Sequence, residues 1–239
     1  MYSRELDGET YTFGVSGKLL RDALLMYDHQ THSLWSHITG EAVAGELRGK
    51  RLKMLAGMPR INWKDWRRNY PLTKVLSIPS DPRRPERLRQ DPIVDNYAQY
   101  HASPNVGISG TRYTDDRLMD KALVVGVRIN ESYRAYPFRS FRRRSIINDE
   151  VDDIPVLAFH DLKSNATAVF LRTVEGQALT FEPARGYTIK DVTTGTTWNL
   201  VTGVATEGKL KGHTLARLPA MNIYWFAWAR YHPETTVYQ

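Results

Sequence analysis

Three histidines, His29, His32 and His37, cluster beside Asp28. Imidazoles at a His-x-x-His spacing bind zinc or copper when one face presents both. On an extended strand, residues three apart point to opposite faces, so these three are weak metal candidates and are expected at the surface. Ser16, in Gly14-Val15-Ser16-Gly17, offers a hydroxyl nucleophile for hydrolysis. It lacks the Gly-x-Ser-x-Gly elbow and a strand-to-helix context. In a chain with seven histidines, a Ser-His-Asp set is easy to draw, so the signal is cheap. Asp28, Thr31, Ser33 and Trp35 are a candidate polar binding set, and Asp191, Thr194 and Trp198 repeat its outline. The competing reading is a tight turn in which Asp and Thr bond the backbone while Trp enters the core. Turn chemistry explains that spacing without a ligand. Arg142, Arg143 and Arg144, with Arg139, Phe138 and Phe141, form a basic patch interleaved with aromatics. Such patches hold nucleic-acid backbones and stack bases. No recognised nucleic-acid module accompanies this one, so a solvated loop or an acidic partner's contact are the other readings.

These residues need elements to position them, and composition bounds what those can be. The chain has 239 residues, 41% hydrophobic and 11% aromatic, enough to fold around a core as one large domain or two small ones. The net charge is +7, from 33 basic and 26 acidic residues. A basic surface favours acidic partners. There is no cysteine, which excludes thiolate nucleophiles, disulfides and Cys-ligated centres within this chain. No cofactor is expected. No apolar run approaches the ~20 residues of a membrane span, and the stretch from Met1 to Gly8 has no apolar core of a signal peptide.

An internal repeat organises the rest. Asp28, Thr31, Trp35, Thr39, Gly40, Ala42, Gly45, Leu47, Gly49 and Leu52 recur 163 residues later as Asp191, Thr194, Trp198, Thr202, Gly203, Ala205, Gly208, Leu210, Gly212 and Leu215. Trp63, Trp66, Pro71, Thr73 and Val75 recur 162 residues later as Trp225, Trp228, Pro233, Thr235 and Val237. Upstream, Arg4, Gly8, Thr12 and Phe13 meet Arg172, Gly176, Thr180 and Phe181. Residues 2–76 thus repeat as 170–238, while 123–169 has no counterpart before Met1. The expected organisation is a first unit over 1–78 that is incomplete at its N-terminal side, a connection over 79–122, and a fuller second unit over 123–239. A sheet lacking strands presents unpaired backbone groups, so a protein partner is expected over the open edge of the first unit. The histidine cluster does not recur. Its positions become Val192, Gly195 and Leu200. Ser16 is lost too, because Phe181 to Asp191 is five residues shorter than Phe13 to Asp28.

The fold class expected is mainly β with short helices (α+β), two related β-rich units packed together. Asp7-Gly8 and Glu175-Gly176 read as two-residue hairpin turns, whose central positions need positive φ. Leu123–Ile129 and Tyr133–Tyr136 read as paired strands, and Ile154–Phe159 as a buried strand. The Trp-x-x-Trp segments, Asn62–Tyr70 and Tyr224–His232, read as short helices that place both indoles on one face, each laid across a sheet. Pro71 and Pro233 end them. The connection, with Pro79, Pro82, Pro85, Pro92 and Pro104, reads as a long extended wrap docked by Tyr97, Tyr100 and Tyr113.

Taken together, Phe13-Gly14-Val15-Ser16-Gly17-Lys18-Leu19, Leu24-Leu25-Met26-Tyr27-Asp28 with Thr31, Ser33, Leu34 and Trp35, Gly40-x-Ala42-x-x-Gly45, and Trp63-x-x-Trp66 before Pro71 resemble the bacterial and archaeal domain-of-unknown-function family 3179. The second half resembles it through Gly126-Val127, Ala135-Tyr136-Pro137, Ile147-Asn148-Asp149, Pro155-Val156 and the Trp198 region. The resemblance implies an exported or membrane-anchored protein and carries no established activity. It also implies a Cys-Pro-x-Cys stretch after the Pro-Val strand, where this chain has His160-Asp161-Leu162-Lys163. The reading reached is a non-catalytic binding or structural subunit of a larger assembly. An exported metal- or thiol-dependent protein is the alternative, and a hydrolase the third.

Overall fold

The computed structural model describes residues 1–56, 60–75, 97–107, 115–142 and 145–239. In chain order, strands β1 (Glu5–Leu6), β2 (Glu9–Thr10), β3 (Phe13–Leu20), β4 (Ala23–Asp28), β5 (Leu34–Ser36) and β6 (Ala42–Ala44) lead to helix α1 (Trp63–Asn69). Within the connection lies a short helix, α2 (Ala98–Ala102), where extended chain was expected. Then come β7 (Leu123–Ile129), β8 (Ser132–Pro137), a 3-10 turn over Phe138–Phe141, β9 (Ile146–Val151), β10 (Ile154–Asp161) and β11 (Ala166–Leu171). The chain continues with β12 (Thr173–Val174), β13 (Gln177–Ala178), β14 (Phe181–Pro183), β15 (Thr188–Asp191), β16 (Thr197–Asn199), β17 (Ala205–Glu207) and β18 (Ala220–Tyr224). Helix α3 (Trp225–Tyr231) and β19 (Thr236–Val237) follow. The protein is mainly β with a few short helices, as the sequence leads one to expect.

The hairpin turns form where the residues permit them. Asp7 and Gly8 have φ of 53° and 86°, and Glu175 and Gly176 have 51° and 79°. Positive φ at both central residues suits the right-handed twist of the flanking strands. Two four-stranded meanders follow these hairpins, β3-β4-β5-β6 and β14-β15-β16-β17. Strands β7 to β11 lie between them in sequence and form the sheet β11-β10-β9 and, with β18 and β19 from beyond the second meander, the sheet β18-β7-β8-β19, in which β19 runs parallel to β8.

Strand β10 is buried on both faces, and the period of two divides its side chains between two cores. Leu157 and Phe159 pack with Phe181, Ile189 and Trp198 of the second meander. Val156 and Ala158 pack with Val125, Val127 and Tyr136 of β7 and β8. The first meander has a smaller core of Trp35, Ala42 and Leu52.

The two tryptophan helices differ in what they meet. In α3, Trp225 and Trp228 are buried, with Val124, Ala135 and Leu118 around them. A Cβ on Gly126 would come within 2.5 Å of the Trp228 ring, so glycine is what lets the indole lie flat on β7. Helix α1 buries none of its residues. Trp63 is half exposed, and Trp66 stacks on its own neighbour Tyr70 at 4.3 Å. Helix α3 thus lies across a sheet as expected, whereas α1 has no residue fully buried by one.

Each helix is pinned from across the molecule. Asp65 and Asn69 of α1 bond Tyr187 Oη (2.8 Å) and Asn199 Nδ2 (2.9 Å). Arg230 of α3 donates to Asp22 at 2.6 Å, and Tyr231 Oη donates to the Leu20 carbonyl at 2.5 Å. Leu20 and Asp22 sit at the tip of the β3–β4 hairpin. The extra residues between Phe13 and Asp28 thus form a tip that reaches α3. In the connection, Tyr100 accepts from the Gly107 N–H and lies under Lys121, while Tyr97 is largely exposed. Tyr113 and the prolines at 79, 82, 85 and 92 lie outside the described residues.

Candidate functional site

Asp28 sits at the end of β4 and is fully buried. Its carboxylate accepts from the Thr31 N–H (2.5 Å), the Thr31 hydroxyl (2.9 Å) and Trp35 Nε1 (2.8 Å). The Thr31 and Ser33 hydroxyls lie 2.7 Å apart, and Ser33 Oγ accepts from the Leu47 N–H. Burial alone would raise the Asp28 pKa. The hydrogen bonds from Trp35, Thr31 and the Ser33 backbone outweigh it and hold the carboxyl below its ordinary value. The second meander has the same arrangement. Asp191 accepts from the Thr194 N–H and hydroxyl, each at 2.7 Å, and from Trp198 Nε1 at 3.4 Å. Thr194 and Thr196 hydroxyls lie 2.6 Å apart, and Thr196 Oγ1 accepts from the Leu210 N–H. Both carboxylates are spent on the turn that they close. Asp28, Thr31, Ser33 and Trp35, like Asp191, Thr194 and Trp198, are brought together by the fold, with the carboxylates and indoles inside it.

Ser16 lies at the irregular part of the β3–β4 pairing. Its hydroxyl donates to the Leu25 carbonyl at 2.6 Å and accepts from the Lys18 N–H. That is the bonding of a bulge, and neither bond is to an imidazole. His29 and His32 lie in the turn after β4 rather than on a strand, so the alternation of faces does not apply. Both rings flank Tyr27, at 4.9 and 6.0 Å. His37 faces elsewhere and bonds the Leu24 carbonyl. Among the described residues no three His, Asp or Glu side chains converge as a metal site. Arg142 is exposed, whereas Arg143 and Arg144 lie outside the described residues. Phe141 is buried and Phe138 packs over His160 at 3.8 Å, so these rings do not form an exposed stacking platform.

Two buried histidines were not singled out from the sequence. His160 is enclosed by Phe138 and Phe141 and shares a 2.9 Å bond with Thr167 through Nδ1. Its Nε2 has no partner. Burial, reinforced by Arg60, pulls its pKa to about 4 against the smaller opposing effects of Asp161 and the Ala166 backbone. His232 stacks on Tyr133 at 4.0 Å and lies tilted against Trp228 at 4.4 Å. Burial, with Arg128 and Arg51 adding to it, also pulls its pKa to about 4. His232, Tyr133 and Trp228 line a cavity of about 290 Å³ between the first meander and β7–β8, with Arg51, Lys53 and Arg128 around it. Those residues are scattered over the chain, so no local spacing marks them.

No helix among the described residues is long and apolar enough to cross a membrane. No curated protein and no solved structure matches the chain. Residues 1–235 match the model of a family described as "Protein of unknown function (DUF3179)". That match takes in both meanders, both tryptophan helices and every strand but β19. The chain belongs to the DUF3179 family.

Proposed function

We propose that this protein is a non-catalytic binding or structural subunit, built from two related β-rich units, whose first unit docks a partner protein through the α1 face. The observation that carries this reading is the contrast between equivalent tryptophans. Trp225 is fully buried, whereas Trp63 is 50% exposed. Leu72 and Val75, just after α1, are 92% and 69% exposed. An apolar patch on a structured helix, rimmed by the exposed Lys64, Arg67 and Arg68, is the usual mark of a protein interface.

The second half supplies the template for the occupant. There, β7 and β8 cover the indoles, a glycine admits Trp228, and Val237 pairs in parallel with Ala135. The partner that fits α1 is a strand pair with a small residue opposite Trp66, a free edge for Lys74–Val75, and acidic residues at its rim. The hydroxyl of Ser16 is committed to a backbone carbonyl, so the hydrolase reading has no comparable support. The thiol- or metal-dependent reading rests on the family pattern alone.

Native mass spectrometry of the protein purified from its source tests the proposal. A stoichiometric second chain is expected, lost in Trp63→Glu while the variant stays folded. A chain that runs alone, or a complex indifferent to Trp63→Glu, overturns it.

A further inference from the structure

A second cavity of about 290 Å³ adjoins the one at His232, and Met54 and Met221 belong to the walls of both. Arg60 and Arg217 line the second cavity. Arg51, Lys53 and Arg128 line the first. No Asp or Glu lines either one among the described residues. Arg51 and Arg128 are paired outward, to Glu41 at 3.0 Å and to Glu131 at 2.6 Å. No carboxylate pairs with Arg60, Lys53 or Arg217 among the described residues.

Arg217 is the most telling of these. Its guanidinium lies over the Phe170 ring at 4.6 Å, and Nη2 donates to the Val201 carbonyl at 2.7 Å. Nη1 is shut off from solvent with no hydrogen-bond partner. The aromatic face and the carbonyl hold the group in place without neutralising it. A desolvated cation is costly unless an opposite charge stands near it. The adjoining cavity meanwhile offers the rings of Tyr133 and Trp228, which suit an apolar body. Concave sites with apolar walls and a few convergent polar groups are where small molecules bind.

We propose that the paired cavities bind a small organic anion, its phosphate or carboxylate head held by Arg60 and Arg217 and its apolar body lying toward Tyr133 and Trp228. Guanidinium groups suit either head, since both accept two parallel N–H bonds. The site is separate from the α1 face, so either proposal can stand without the other.

Isothermal titration calorimetry of the full chain with phenyl phosphate, benzoate and inorganic phosphate, at constant ionic strength, is the test. Saturable binding of one equivalent of phenyl phosphate or benzoate is expected. Whichever binds more tightly assigns the head group, and inorganic phosphate binds more weakly than phenyl phosphate if the apolar cavity contributes. Arg217→Met and Arg60→Met should each weaken binding by roughly 10- to 100-fold, the worth of a charge-assisted hydrogen bond. Arg185→Met, on an exposed turn outside both cavities, should leave it unchanged. If Arg217→Met does not fold, Arg60→Met carries the comparison. No saturable binding of any of the three anions overturns the proposal, as does equal weakening by Arg185→Met.

Discussion

Helices α1 and α3 have almost the same local geometry and opposite fates. Each is seven residues long and follows an extended residue, Asn62 at φ −69°, ψ 155° and Tyr224 at φ −70°, ψ 144°. Each ends on a residue whose N–H returns to the second tryptophan's carbonyl, Tyr70 to Trp66 and His232 to Trp228. In each, that tryptophan's Nε1 donates to a threonine seven residues on, Thr73 at 3.2 Å and Thr235 at 2.9 Å. Yet α3 is embedded beneath β7 and β8, and α1 buries nothing. The difference teaches that the Trp-x-x-Trp and following Pro-x-Thr pattern dictates a helix and its closing bond, while burial depends on strands supplied from elsewhere. It also explains a local substitution. Asn62 caps α1 through the Asp65 N–H at 2.9 Å, whereas Tyr224 makes no side-chain cap. A helix without tertiary cover leans more on its cap.

The strongest way to break this comparison is to remove the equivalent indoles. Trp225→Ala opens a cavity in a packed core and should cost ~3–5 kcal/mol. Trp63→Ala should change the isolated chain's stability by less than ~1 kcal/mol, as is usual for surface substitutions. Urea unfolding of the two variants decides it, and similar losses would mean that α1 is as well packed as α3.

Acid should sharpen the contrast next. His232 of the α3 region occupies the place that Tyr70, a phenol rather than an imidazole, has after α1. Burial holds His232 and His160 neutral, with folded pKa values near 4 against 6.5 when unfolded. The unfolded chain binds more protons between those values, so stability is complete above about pH 6.5 and falls as pH drops toward 4. Each histidine accounts for at most about 3 kcal/mol of that fall. The groups facing His232 are Arg51 and Arg128, with Glu234 at 4.0 Å; Arg60 and Asp161 face His160. Melting curves of His232→Phe should show a shallower loss between pH 6.5 and 4 than the parent, and an unchanged slope would refute the assignment.

The smallest effect separates the two buried aspartates. Asp28 receives the Trp35 indole at 2.8 Å and Asp191 receives Trp198 at 3.4 Å. A hydrogen bond to a charged group contributes about 1.5–3 kcal/mol when well formed. Asp28→Asn should therefore destabilise by ~1 kcal/mol more than Asp191→Asn, by equilibrium denaturation. The opposite order would show that the geometry of the indole bond is not what sets the cost.

Much of this was legible in the residues. Asp7-Gly8 and Glu175-Gly176 specify their turns because few residues tolerate positive φ twice running. The Asp-x-x-Thr spacing announces its own closed turn, and the structure places the carboxylates inside it. For His29 and His32 only the reason drawn from strand geometry fails. The alternation argument applies to a strand, and His29 and His32 belong to a turn, where His32 has φ of 57°. The burial of the His160 and His232 imidazoles, and the cations around the paired cavities, gave no local signal, because much of what surrounds them, such as Phe138 and Tyr133, comes from other elements.

The sequence by itself determined the hairpins, the tryptophan helices, the Asp–Thr–Trp turns and membership of a family, since each is written in residues close together or in their order along the chain. Only the tertiary structure decided which helix would be covered, how β10 divides its side chains between two cores, and that β19 runs parallel beside β8. It alone left Arg217 Nη1 shut off from solvent, with no carboxylate paired to it among the described residues. Those outcomes depend on contacts between residues well separated along the chain, from Leu157 against Phe181 to Val237 beside Ala135. Such contacts form only when many weak apolar interactions are satisfied at once, and no local pattern encodes them.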